Sequence, residues 1–314
     1  MRAAVSSADA PLGVAGAAAE PAARCVSPGG RDLLPLVRTV LRGRYTVERE
    51  IGRGGAARIY LARVRGGAPV ALKVLHPELA VSLTAKRFLR EISVLKRLDH
   101  PRICRLLAYG ECDWIVYYVM SYVEGPTLRE HLARVRRAAI DDTLRRTCEV
   151  LEALEYAHGL GVVHRDVKPE NVKLSPAGAV LMDFGIAKSV VTSAASEARL
   201  TRTGFTVGTS AYMSPEQTAG GKALDRRSDL YSVGCVIYEC LTGARPFEHP
   251  DEAVVRRMHQ RAPIPDVRRR RPLVPADLAQ VVARALAKHP RDRWQSASEM
   301  RAALAACGCA GGPN

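Results

Sequence analysis

The chain has 314 residues, 47% of them hydrophobic but only 5% aromatic, which is long enough for one large domain or two lobes around a mostly aliphatic core. Its formal charge of +15 at pH 7 would suit an acidic partner, yet 39 arginines against 8 lysines lie spread along the chain without interleaved aromatics. That argues for a solvated arginine-rich surface and against a nucleic-acid site, even at the run Arg268-Arg269-Arg270-Arg271.

No window approaches the run of about eighteen apolar residues that a membrane-spanning helix needs, so no such helix is expected. Eight cysteines without regular spacing do not make a disulfide framework and fit the reduced thiols of a cytoplasmic protein. Residues 1–30 hold ten alanines with several prolines and glycines and lack the strongly apolar centre of a secretory signal, so residues 1–43 read as a disordered leader.

At Arg44 the texture becomes periodic. Residues 45–51, 58–64 and 69–74 are short and carry β-branched or aromatic side chains, and Gly66-Gly67 marks a turn between the last two, so an antiparallel sheet is predicted. Residues 84–98 place Phe88, Ile92 and Leu95 at helical spacing, and two further strand-like runs over 106–118 complete a small lobe.

Beyond Glu124-Gly125 the pattern is helical. Leu144, Cys148, Leu151 and Leu154 share one face of a helix that stops near Gly159. Ser228 is the predicted N-cap of a helix carrying Leu230, Val233, Ile237 and Leu241 and closed by Gly243. Ser296 and Glu299 have the spacing of a capping box before a last helix. Cys235 and Cys240 read as core residues, while Cys307 and Cys309, two thiols short of a zinc site, read as part of a frayed end over 306–314. The expected fold class is α+β, a small antiparallel β-rich lobe followed by a larger helical lobe.

Three stretches carry chemistry. Gly52-Arg53-Gly54-Gly55-Ala56-Ala57-Arg58-Ile59 leads into a strand and not a helix, so it reads as a strand-loop-strand flap whose glycines let backbone N–H groups approach phosphate oxygens. Lys73, in Val70-Ala71-Leu72-Lys73, is a lysine among apolar neighbours and needs an anion; Glu91, beside the buried face of the 84–98 helix, is the candidate. His164-Arg165-Asp166-Val167-Lys168-Pro169-Glu170-Asn171 is followed by Asp183-Phe184-Gly185. These bring two carboxylates, an amide, a lysine and an arginine to two nearby loops, the set needed to hold Mg²⁺ and a nucleoside triphosphate beside a hydroxyl.

This set resembles the catalytic and metal-binding loops of the protein kinases. Gly208-Thr209-Ser210-Ala211-Tyr212-Met213-Ser214-Pro215-Glu216-Gln217 closely resembles the bacterial serine/threonine group, the Hanks-type or eukaryotic-like kinases. The resemblance covers about residues 45–304 and implies a bilobal protein kinase fold over 44–305, with a β-rich N-lobe (44–120), a hinge (121–124) and a helical C-lobe (125–305).

By the same resemblance ATP and Mg²⁺ are the cofactors and Asp166 is the base that orients a Ser/Thr hydroxyl. Lys168 neutralises the transferring phosphoryl group, Asn171 and Asp183 hold the metal, and Lys73 pairs with Glu91. Ile51, Gly52, Arg53, Gly54, Gly55, Ile59, Ala71, Lys73, Met120, Tyr122 and Val123 form the nucleotide site, with Met120 as gatekeeper. Lys173 departs from the family, standing where an aliphatic side chain usually floors the adenine, so altered nucleotide affinity is expected.

Thr201 and Thr203 match paired phosphothreonines, and Arg165 is placed to bind a phosphate there. Thr209 is expected near Asp166 and Lys168, Asp229 is expected to anchor the catalytic loop, and Glu216 to pair with Arg293. Protein substrates are the implied partners, a kinase homodimer is left open, and no nucleic acid is expected. A catalytically weak scaffold, a small-molecule phosphotransferase and an arginine-driven nucleic-acid binder are the competing classes. The first would need a lost Lys73, Asp166, Asn171 or Asp183, and the second should lack the segment from Thr209 to Glu216.

Overall fold

The β-branched and aromatic runs form five antiparallel strands: β1 (Tyr45–Arg53), β2 (Ala57–Val64), β3 (Pro69–Leu75), β4 (Leu106–Cys112) and β5 (Ile115–Ser121), paired in the order β1-β2-β3-β5-β4. The structure, a computed structural model, describes residues 33–54, 57–64, 67–75, 92–112, 115–184, 210–221 and 224–309. Strands β2, β3 and β5 are the most buried, and their register sets Ala71 opposite Met120 and Lys73 opposite Tyr118. Ile92, in the helical residues 92–95, joins Ala71, Leu106, Tyr118 and Met120 in the apolar core behind the sheet.

One helix precedes the sheet that the sequence pattern did not suggest. Helix α1 (Leu34–Val40) buries Val37 completely, and Arg38 Nε donates to the Val47 carbonyl at 2.8 Å, fastening the helix to β1. The expected leader is thus corrected over residues 34–40, where seven residues are too few to display a helical period, and residues 1–32 lie outside the described residues.

In the larger lobe the described helices are α2 (Leu128–Val135), α3 (Ile140–Gly159), α4 (Pro215–Thr218), α5 (Arg226–Thr242), α6 (Glu252–Arg261), α7 (Val267–Arg270), α8 (Ala276–Ala285) and α9 (Ala297–Cys309). A two-stranded ribbon, β6 (Val172–Ser175) and β7 (Gly178–Leu181), lies between α3 and α4 in the chain. Helix α5 is the axis: every residue from Ser228 to Leu241 is buried, as a helix apolar nearly all round must be. Its N-cap is Asp225 and not Ser228, with the Asp225 carboxylate accepting the Arg227 N–H. Ser228 lies one turn inside and donates its hydroxyl to Glu216 at 2.6 Å. Gly243 closes the helix in the left-handed region at φ +75°, as predicted.

Helix α9 packs along α3. Ser296 Oγ accepts the Glu299 N–H at 3.1 Å, but the Glu299 carboxylate takes the N–H of Gln295, so the box is displaced by one residue from the expected form. The expected frayed end is corrected over residues 306–309, while 310–314 lie outside the described residues. The helix runs on to Cys309, and Cys307 is buried in the core of the lobe, because the Ala-rich last turns keep an apolar face toward α3. Cys104, Cys112, Cys148, Cys235, Cys240 and Cys307 are free thiols, and among the described residues no helix is long and apolar enough to cross a membrane.

Candidate active site

A buried carboxylate on α5 organises the catalytic loop. Asp229 accepts the backbone N–H groups of His164 and Arg165 and the His158 ring nitrogen, all at 2.8 Å. Arg165 is thereby held at φ +65°, a conformation uncommon for a residue with a side chain and persistent only where neighbours impose it. His164 Nε2 faces the Met182 carbonyl at 2.8 Å while Nδ1 accepts the Asp166 N–H. Only the neutral Nε2–H tautomer satisfies both, and burial holds the ring pKa below its ordinary value in agreement. The same ring packs on Phe184 with centroids 4.5 Å apart, tying the two loops together.

Asp166 and Lys168 form an ion pair at 2.8 Å. Asn171 donates its amide to the Asp166 carbonyl at 2.8 Å and to the carboxylate at 3.1 Å. With its nitrogen engaged there, the Asn171 amide leaves its oxygen to face a cation. Across the cleft, Lys73 Nζ lies 2.7 Å from Asp183, which adopts φ +53°. Burial alone would lower the Lys73 pKa, but the Asp183 carboxylate and the Tyr118 hydroxyl outweigh it and raise it above the ordinary lysine value.

The flap is a strand-loop-strand, as predicted: β1 ends at Arg53, β2 starts at Ala57, and Gly54 N–H closes on the Ala57 carbonyl at 2.9 Å. A register shift between Glu50 and Gly52 bends β1 there. A Cβ at Gly52 would meet the Ile59 side chain at ordinary van der Waals distance, so the two residues lie side by side across β1 and β2. Ile51, Ile59, Ala71 and Met120 belong to one apolar cluster.

Ser121 donates its N–H to the Arg105 carbonyl, so it is already engaged, whereas the backbones of Tyr122 and Val123 take part in no hydrogen bond with described residues. Lys173, on β6, donates its ammonium to the Gly125 carbonyl at 2.6 Å. Gly125 has φ +110°, and a Cβ there would collide with the Leu174 carbonyl, which brings the linker hard against β6.

The donors fit the implied groups. Asn171 and Asp183 offer hard oxygens suited to a divalent cation, and the described residues contain no cluster of three or more His, Cys, Asp or Glu side chains for a cage. Two protein oxygens completed by phosphates and water is the ligation expected of Mg²⁺ with a nucleotide. Glu91, Gly55, Thr201, Thr203 and Thr209 lie outside the described residues. Arg293, fully buried, grips both oxygens of Glu216 at 2.8 and 2.7 Å, as expected.

Sequence reasoning passed over three residues. Tyr118 shares a strand face with Met120, a period-2 relation that was readable. His164 was only a motif letter, and its role as link between loops needs the fold. Gln217 donates to the Arg165 carbonyl at 2.9 Å, a contact 52 residues apart in sequence.

A family model described as "Protein kinase domain" matches residues 45–304. The probable serine/threonine-protein kinase SCO3848 of Streptomyces coelicolor is 42% identical over 275 residues, 85% of this chain and 40% of that protein. Serine/threonine-protein kinase PknB of Mycobacterium tuberculosis is 41% identical over 272 residues, 84% of this chain and 43% of that protein. The chain thus spans less than half the length of these curated relatives. A crystal structure of the Mycobacterium tuberculosis PknI kinase domain, solved as a cysteine-to-alanine mutant, is 31% identical, covers 85% of this chain and 96% of its own, and superposes with a TM-score of 0.68.

Proposed function

The chain belongs to the protein kinase family, and from that premise we propose that it transfers the γ-phosphoryl group of ATP to serine and threonine hydroxyls of proteins, with Mg²⁺ as the metal. The observation that carries the reading is the joint placement of Asp166, Lys168 and Asn171 on one loop and of Lys73 against Asp183 across the cleft. Lys73, Asp166, Asn171 and Asp183 are all present, which speaks against the scaffold alternative.

Asp166 takes the proton of the acceptor hydroxyl late in transfer, and Lys168 at 2.8 Å keeps that carboxylate oriented. Bound Mg²⁺ would neutralise phosphate charge at Asn171 and Asp183. Lys73 supplies a point charge for the non-transferring phosphates, and the Gly52 flap supplies backbone donors. The apolar set Ile51, Ile59, Ala71 and Met120 covers the base, with the backbones of Tyr122 and Val123 left to read its edge.

Regulation by autophosphorylation belongs to the same reading. The Arg165 Nε is buried without a hydrogen-bond partner among the described residues, and phosphate on Thr201 or Thr203 would supply one. A second copy of the chain is then a partner for phosphorylation in trans. The free thiols and the need for ATP support a cytoplasmic setting for the domain. Incubation with labelled ATP and Mg²⁺, followed by phosphosite mapping, tests the whole. Incorporation in wild type but not in Asp166→Ala is expected, whereas equal incorporation in both would trace the label to a contaminant.

A further inference from the structure

Two arginine-rich loops meet at the C-terminal end of α5. Ala138, between α2 and α3, donates its N–H to the Cys240 carbonyl at 2.9 Å, and Arg271 Nη1 bridges the Ala138 carbonyl at 2.7 Å and the Leu241 carbonyl at 3.1 Å. Gly243 closes the same corner, since a Cβ there would lie 2.7 Å from the Arg136 carbonyl and 2.9 Å from Arg137 Cγ. Residues 134–139 and 267–275, brought side by side in this way, hold seven arginines and no acidic residue. Arg271 is engaged by the two carbonyls and Arg134 by the Glu130 carbonyl. Arg136, Arg137, Arg268, Arg269 and Arg270 are exposed, and none forms an ion pair or a side-chain hydrogen bond among the described residues. The bordering acids Asp266, Asp277 and Glu248 accept the backbone N–H groups of Arg268, Leu278 and Arg245, and Asp141 lies in the first turn of α3.

Two apolar side chains stand among these guanidiniums. Leu273 is 84% exposed, and Val135, between Arg134 and Arg136, is 44% exposed. Leu273 is held outward by a turn in which the Val274 N–H closes on the Arg271 carbonyl at 3.0 Å, with Pro272 stiffening the tip and Val274 buried beneath it. A single exposed leucine needs no explanation, but one fixed at the tip of a turn that follows four arginines has the make-up of an interfacial membrane anchor. We propose that this face docks on a bilayer containing anionic phospholipid. Arg136, Arg137, Arg268, Arg269 and Arg270 take headgroup phosphates, and Leu273 enters the boundary of the acyl chains. Neither segment holds an aromatic side chain on which bases could stack, so nucleic acid fits the face less well. The catalytic loop is fastened at the other end of α5. From Asp229 to Thr242 the helix rises about 20 Å, so a docked domain keeps Asp166 clear of the lipid.

Sedimentation of the full chain with phosphatidylcholine vesicles, with and without phosphatidylserine at about 30%, tests this without reference to kinase activity. Wild type is expected to partition onto the phosphatidylserine vesicles and to stay in solution with phosphatidylcholine alone. Each arginine at an anionic surface contributes about fivefold, so the double variant Arg268→Gln, Arg269→Gln is expected to lower partitioning about 30-fold. Arg136→Gln with Arg137→Gln is a second variant with the same expected loss, and none of the four side chains has a partner whose loss would unfold the protein. The control removes equal charge elsewhere: Arg42→Gln with Arg49→Gln, exposed positions of the small lobe, is expected to cost less than about threefold. Leu273→Trp adds a depth readout, with emission expected to shift to the blue on phosphatidylserine vesicles and to stay unchanged with polyglutamate. A wild type that ignores phosphatidylserine, or equal losses in the patch and control variants, overturns the inference, the latter by assigning binding to the overall charge of +15. A Leu273→Trp emission unmoved by vesicles, or moved equally by polyglutamate, overturns it in favour of an acidic polypeptide.

Discussion

Lys73 Nζ stands 2.7 Å from Asp183, joining the central strand of the small lobe to the loop that would hold the metal, and Tyr118 on the adjacent strand touches the same ammonium. The cation is thus aimed before any nucleotide arrives, the preorganisation on which electrostatic stabilisation of a transferring phosphoryl group depends. Lys73→Met is expected to lower kcat by about 10²-fold or more. Tyr118→Phe, which removes one hydroxyl and keeps the ring, is expected to raise the KM for ATP about threefold with kcat nearly unchanged, the loss of one modest hydrogen bond. Steady-state kinetics at varied ATP separate the two, and a Tyr118→Phe enzyme with wild-type KM would show that Asp183 alone positions the lysine.

Asp229 acts at a distance from the reacting atoms, through the backbone. Its three acceptor contacts fix the left-handed turn at Arg165 that presents Asp166. In Asp229→Ala two backbone N–H groups and a histidine lose a buried charged partner, expected to destabilise the fold by about 3–5 kcal/mol and to lower kcat with little change in KM for ATP. Urea denaturation and kinetics on the soluble fraction check this. A variant as stable as wild type would mean water replaces the carboxylate.

The fold carries a built-in acid sensitivity at His259. The ring is fully buried, with Nδ1 2.8 Å from the Tyr231 hydroxyl and Lys288 nearby, and burial followed by the Lys288 charge lowers its pKa from 6.5 to about 4. Between those values the unfolded chain binds a proton that the folded chain does not, so stability is complete above pH 6.5 and is lost as pH falls toward 4, by about 3 kcal/mol in all. Denaturation midpoints measured from pH 7 to pH 4.5 are expected to fall in wild type and to fall less in His259→Gln. Parallel profiles for the two proteins would assign the acid loss to carboxylates such as Glu216, whose pKa is lowered because bonds from Arg293 and Ser228 outweigh its burial.

Much of this was legible from residue order. The β-branched and aromatic runs of β1 to β3, the helix closed by Gly243 and the grouping of Asp166, Lys168, Asn171 and Asp183 follow from local pattern, because strand composition, glycine conformation and motif spacing are local properties. What escaped depends on contacts distant in sequence. Asp225 and Ser228 are both good caps by type, and the choice went to Asp225 because Ser228 is drawn to Glu216 twelve residues away. Helix α1 and the burial of Cys307 rest on packing against β1 and α3, and Arg129 meets Glu239 across 110 residues. No periodicity reports a pair so far apart.

The family resemblance marks Lys173 as a departure at the floor of the proposed nucleotide site, and its position on β6 gives that departure a direction. The ammonium is tied to the Gly125 carbonyl at 2.6 Å, so only the methylene stem is left to pack beneath a base, and covering the stem dehydrates a polar contact. Lys173→Leu presents a fully apolar surface of similar breadth. Sparing the dehydration of that polar contact is worth about 1 kcal/mol, so the Kd for ATP is expected to fall about fivefold. The bond lost to Gly125 is an exposed one and contributes little. Titration with a fluorescent ATP analogue reads the change directly, with Lys173→Arg as the control that keeps a donor for Gly125. Weaker binding in Lys173→Leu, restored in Lys173→Arg, would instead make the ammonium a brace for the linker, with nucleotide affinity depending on that brace and not on the floor.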